Sequence, residues 1–117
     1  MTQISSLLQI GETCAPGAPG LVQTVVAQSY NVTLDDMRAS TRGGARAAFA
    51  RQVAMYLMHV VCRMTLTEAA GHFGRDRSTA YHACHHVEDL RNDVRFDRQL
   101  VDLENIVREA ADMEVAG

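Results

Sequence analysis

Apolar residues along this chain recur at intervals of three and four, and they never alternate with polar ones for more than a few positions. From Leu21 to Tyr30, Leu21, Val22, Val25 and Val26 share one helical face. "NVTLDDM" follows, with Thr33 placed to cap a short helix and Asp36 at its third position. The clearest pattern runs from about Ala45 to Cys62, where Val53, Leu57, Val60 and Val61 fall at i, i+4, i+7 and i+8, joined by Ala50 and Ala54. "MTLTEAAGHFG" predicts a compact helix: Thr65 is its N-cap, Glu68 closes a capping box, and Gly74 takes the left-handed turn beyond its end. From Thr79 to Asn92, Ala80, Ala83, Val87 and Leu90 form one stripe, with Arg91 near the C-terminal dipole. A last helix, about Asp97 to Ala111, carries Leu100, Leu103, Ile106, Val107 and Ala110. The pattern predicts an all-α bundle of about five or six helices without internal repeats.

The breakers set the boundaries. Both prolines, Pro16 and Pro19, lie in "CAPGAPG", which predicts a flexible arm over residues 1–20 and a helical domain over residues 21–117. The pair Gly43-Gly44 sits among Arg38, Arg42 and Arg46, predicting a basic loop before the long helix.

Length and composition change this picture in several ways. A chain of 117 residues buries a core without staples, and Cys14, Cys62 and Cys84 form no C-x-x-C pair, which fits a reducing, cytoplasmic setting. No stretch approaches the roughly 20 apolar residues of a membrane span. All 11 basic residues are arginine, which excludes a lysine-bearing P-loop and any Schiff-base lysine, so no nucleotide partner is expected. The net charge of −3 hides an uneven distribution. Residues 38–95 hold nine arginines against five acids, whereas residues 96–117 hold six acids against two arginines. The basic middle keeps nucleic-acid binding open.

The segment "GHFGRDRSTAYHAC", Gly71 to Cys84, crowds Arg75, Asp76, Arg77, Ser78 and Thr79 at a helix start, where the fold requires one capping side chain. A short helix, a glycine-containing turn and a longer helix make a helix-turn-helix at about residues 65–92, which presents the first turn of its second helix to the DNA major groove. Arginine can fork onto guanine, a carboxylate can accept from cytosine, and small hydroxyls can touch phosphates, bases or thymine methyls. The N-terminal dipole suits a phosphate.

"RQVAMYL" at Arg51 to Leu57 and "LTEAAGHFGRDRSTAYHAC" at Leu66 to Cys84 together resemble the C-terminal DNA-binding domain of the bacterial replication initiator DnaA, over about Leu21 to Val107. The resemblance implies a Trp-repressor-like helix-turn-helix that reads a short box in double-stranded DNA, with a basic loop reaching the minor groove. It implies that Asp76, Arg77, Ser78 and Thr79 face base edges and phosphates, that Arg75 and Arg51 anchor the backbone, that Arg42 lies in the basic loop, and that His82 belongs to the motif's "HA". Arg46 and Thr65 complete the expected DNA-binding set. Arg77 stands where the family usually has histidine, one glycine of its G-G pair is missing, and Ala80 replaces a common valine, so an altered box preference is expected. The implied role is a transcriptional or replication-linked regulator without catalytic activity or cofactor, lacking the initiator's ATPase module.

Other readings of the same residues stay open. Arg75 and Arg77 suit a solvated surface with Asp76 as a simple cap, and Arg42, Arg46 and Arg51 suit exposed positions at a helix start. His82 and His86 at i, i+4 share a helix face, but a zinc site needs more ligands than stand nearby, so no metal is expected. No catalytic constellation can be assembled. A helical interaction module using the acidic last helix or the N-terminal arm is the alternative function, and a homodimer through the first or last helices is a further arrangement to test.

Overall fold

The computed structural model describes residues 17–39 and 44–116, and every described element is a helix. In chain order these are α1 (Ala18–Tyr30), α2 (Leu34–Arg38), α3 (Gly44–Val60), α4 (Leu66–Gly71), α5 (Arg77–Leu90) and α6 (Val94–Ala116). The expectation of an all-α bundle of about five or six helices holds, with six among the described residues. Helix α3 is the axle: α1, α2, α4 and α5 all pack on it, α4 packs on α5, and α6 packs along α1. Its middle turns, Val53 to Met58, are buried all round, as a helix enclosed by neighbours must be.

Boundaries differ from the sequence expectation where cap chemistry outweighs composition. Helix α1 begins at Ala18 with Pro19 in its first turn, inside the stretch expected to belong to the arm. Proline is accommodated there because the first turn has no use for its missing N–H. The rest of the expected arm lies outside the described residues. The expected basic loop is shorter at both ends, since Arg38 closes α2 and α3 starts at Gly44, whose φ of +67° suits glycine. Arg38 Nε donates to Gln23 Oε1 of α1 at 2.7 Å, which makes it a brace between helices. Arg42 falls among residues 40–43, outside the described residues. Helix α5 starts two residues earlier than expected because Asp76 caps it, and α6 extends at both ends, over Val94–Ala116.

Three predicted caps are present, the first being Thr33, whose Oγ1 accepts from Asp36 N at 2.9 Å at the start of α2. Thr65 Oγ1 accepts from Glu68 N at 3.0 Å while Glu68 Oε1 accepts from Thr65 N at 2.9 Å, closing the capping box of α4. Gly74, at φ +66°, turns the chain out of α4: Arg75 N donates to Ala70 O at 3.0 Å and Gly74 N to Gly71 O at 3.2 Å, the paired bonds of a Schellman motif. Phe73 drops from this turn into the core, fixing the step from α4 to α5.

Candidate nucleic-acid interface

The start of α5 is organised by one carboxylate. Asp76 Oδ1 accepts from Thr79 N at 3.1 Å, from Ser78 Oγ at 2.8 Å and from Thr79 Oγ1 at 3.2 Å. These bonds, the Ser78 hydroxyl first, hold the Asp76 carboxyl below its ordinary pKa. Asp76 is therefore the helix cap, and the two hydroxyls expected to face DNA are drawn toward it. Arg77, the first residue of α5, is exposed, as are Ser78 and His82. The buried stripe Ala80, Ala83, Cys84 and Val87 turns this polar face outward.

Behind that turn lie Arg51 and Arg75. Arg75 Nη1 donates to Phe73 O at 2.7 Å and its Nη2 to Ala39 O at 3.4 Å, so it clasps the α4–α5 turn to the chain leaving α2. Arg51, on α3 and only 7% exposed, donates through Nη1 to the same Ala39 oxygen at 3.5 Å. Burial and the neighbouring Arg75 lower the Arg51 pKa. Among the described residues the ion pairs are those of Arg91, so Arg51 and Arg75 converge on a neutral carbonyl with no carboxylate beside them. The fold brings Arg51, Arg75, Asp76, Arg77, Ser78 and Thr79 into one region, with His82 one turn along α5. Arg51 enters that region as a buried side chain in the middle of α3, against the alternative reading of an exposed position at a helix start.

Two expected site residues stand elsewhere. Arg46 lies five residues before Arg51, about 140° around α3. It lines a groove with Tyr30 and Asn31 of the α1 end and Gln99, Asp102, Leu103 and Ile106 of α6. The groove draws its walls from α1, α3 and α6, and no residue of α4 or α5 lines it. Thr65 is occupied as the cap of α4.

Sequence reasoning missed the far end of α5. Arg91 Nη1 donates to Glu104 Oε2 at 2.8 Å and to the Tyr56 hydroxyl oxygen at 2.9 Å, and its Nε donates to Asp97 Oδ1 at 2.5 Å. The Tyr56 hydroxyl in turn donates to Glu88 Oε2 at 2.9 Å, locking α5 to α3 and α6. Burial opposes the charge on Arg91, but the bonds to Asp97, Glu104 and Tyr56 outweigh it and raise its pKa. Partners 35 and 13 residues away leave no local spacing to read. Tyr81 was also passed over, although its place off the apolar stripe of α5 is legible; it is 43% exposed. Cys84 is inert by contrast, since burial pushes its thiol pKa up to about 11.

Residues 19–87 match the family described as bacterial dnaA protein helix-turn-helix. The chain belongs to that family. Among proteins similar to this DnaA-family chain is the chromosomal replication initiator protein DnaA of Thermoanaerobacter sp. (strain X514), 30% identical over 89 residues, covering 75% of this chain and 20% of that protein. The same protein from Caldanaerobacter subterraneus subsp. tengcongensis is 34% identical over 80 residues, covering 68% and 17%. The chain thus spans about a fifth of the length of the curated relatives it matches. A crystal structure of a DNA replication initiation factor superposes with a TM-score of 0.72 at 30% identity, covering 80% of this DnaA-family chain and 29% of the other. No helix among the described residues is long and apolar enough to cross a membrane.

Proposed function

We propose that this DnaA-family chain reads a short site in duplex DNA, resembling a DnaA box, and acts as a replication-linked or transcriptional regulator without catalysis. The observation that carries the reading is the start of α5. One carboxylate, Asp76, does all the capping there, so Arg77 stands free at the helix tip. Arg77 forks onto a base edge, guanine being the matched partner, while the Arg51 and Arg75 pair supplies uncompensated positive charge for a phosphate. Similarity to chromosomal replication initiator proteins supports the same reading.

Fluorescence anisotropy with a box-bearing duplex and a scrambled one, at low and near-physiological salt, tests it. Tighter binding to the box that persists as salt rises is the expected outcome. Equal, salt-labile binding to both duplexes would contradict site reading. No binding at low salt would move the function to a protein partner docked on acidic α6.

A further inference from the structure

Of the chain's tyrosines, Tyr56 is buried at the centre of the bundle and Tyr30 is half-buried against Phe49, while Tyr81 stands out on the exposed flank of α5. It follows Arg77 by four residues and precedes His85 by four, so the three lie on successive turns of one side of the helix. The Tyr81 ring is 4.4 Å from the His85 ring and 5.5 Å from that of His82, which meets it edge-on. The ring is therefore propped from two sides by neighbours that themselves face solvent, and it presents an apolar surface of fixed direction beside the polar tip of the helix.

We infer that Tyr81 is a specificity-determining residue whose ring packs on the C5-methyl group of a thymine in the bound duplex, within about two base-pair steps of the base met by Arg77. The inference rests on the proposed DNA-reading function and adds a second, apolar element to it. The thymine methyl is the one apolar feature that base pairs display in the major groove, so it is the natural partner for a ring that no core contact explains. Four residues of helix rise about 6 Å, close to two base-pair steps of roughly 3.4 Å, which places that thymine within about two steps of the base at Arg77. Propping by His82 and His85 reduces the rotamer freedom lost on binding.

The test uses the full chain and the tightest duplex it recovers from a random pool. Each thymine of that duplex is replaced in turn by deoxyuridine, which removes the methyl and keeps the hydrogen-bonding edges. The wild-type protein should lose about fourfold in affinity at one thymine, the worth of one buried methyl group. Tyr81→Phe should show the same loss, and Tyr81→Ala, checked as folded by circular dichroism, should bind more weakly and no longer distinguish uracil from thymine. Insensitivity to uracil throughout, undiminished sensitivity in Tyr81→Ala, or a Tyr81→Phe defect as large as that of Tyr81→Ala would overturn the inference, the last by assigning the hydroxyl to a phosphate. A pool that yields no preferred duplex would overturn the DNA-reading function itself, and the inference with it.

Discussion

At the C-terminal end of α5, Arg91 is held by Asp97, Glu104 and Tyr56; near its N-terminal end, Arg51 and Arg75 share the carbonyl of Ala39. By exposure, Arg51 is more enclosed than Arg91. Arg51 is 7% exposed, whereas the Arg91 side chain is 20% exposed. What separates them is compensation: Arg91 faces two carboxylates and closes its own electrostatic account, while the Arg51 and Arg75 pair faces, among the described residues, neutral oxygens. A buried guanidinium without a carboxylate is a poor choice for stability alone. In the proposed DNA-reading function, that charge is met by a phosphate.

The largest expected effect tests the compensated end. Arg91→Met leaves Glu104, which is nearly buried, without its partner, and should lower unfolding free energy by about 3 kcal/mol in urea titrations. The double variant Arg91→Met/Glu104→Met should recover much of that loss. A single variant within about 0.5 kcal/mol of wild type, the range of ordinary surface substitutions, would break the comparison.

Next in size is the free arginine at the tip. Arg77→Ala should cost about 1–3 kcal/mol of discrimination at one base position and leave affinity for scrambled duplex nearly unchanged. Equal losses on both duplexes would make Arg77 a phosphate contact.

Arg51→Met sharpens the contrast because its two readouts point in different directions. Stability should stay within about 0.5 kcal/mol of wild type or rise, since an apolar side chain of similar length suits a buried site lacking a counter-charge. Binding to every duplex should weaken alike, and the slope of log affinity against log salt should become shallower by about one. A loss of stability like that of Arg91→Met would show that Arg51 is structural after all.

How much of this was legible in the sequence follows from the range of each interaction. Capping chemistry acts over three residues, so Thr65 with Glu68 and the turn at Gly74 could be read directly, and the apolar spacing of α5 placed Ala80, Ala83 and Val87 in the core. On α3 the stripe held for Val53 and Leu57 but not for Val60, which is 40% exposed at the helix end, while Met55, Tyr56 and Met58 off the stripe are buried because neighbours enclose the middle of the helix. Pro19 misled because composition was weighed without position: the same residue breaks a helix interior and suits a first turn. The cluster from Arg75 to Thr79 is legible as a group, and Asp76 as its cap was one of the open readings; that Asp76 also gathers both hydroxyls and that Arg75 turns back to Phe73 and Ala39 shows only in the folded turn. The five-residue spacing of Arg46 and Arg51 already sets them on different sides of α3, but only the packing shows that Arg51 is the buried one and that Arg46 lines the groove with α1 and α6. The Arg91 network was invisible because its partners are brought together by three different helices.

The smallest expected effect concerns Asp76, whose role separates capping from charge at the N-terminal end of α5. Its carboxyl is held below the ordinary 3.8 by hydrogen bonds from Ser78 and Thr79. A group whose pKa is lower in the folded protein stabilises it at pH values above the unfolded pKa, and that contribution is lost as pH falls through the folded one. Asn caps a helix nearly as well and does not titrate, so Asp76→Asn serves as the reference. Urea midpoints of the two proteins should keep a constant offset from neutral pH down to about pH 5, and below about pH 4 the wild type should lose ground to the variant. An offset unchanged at pH 3 would mean that the carboxylate charge adds nothing to the cap. The hydroxyls of Ser78 and Thr79 would then be held by hydrogen-bond geometry alone and more readily released to an incoming phosphate.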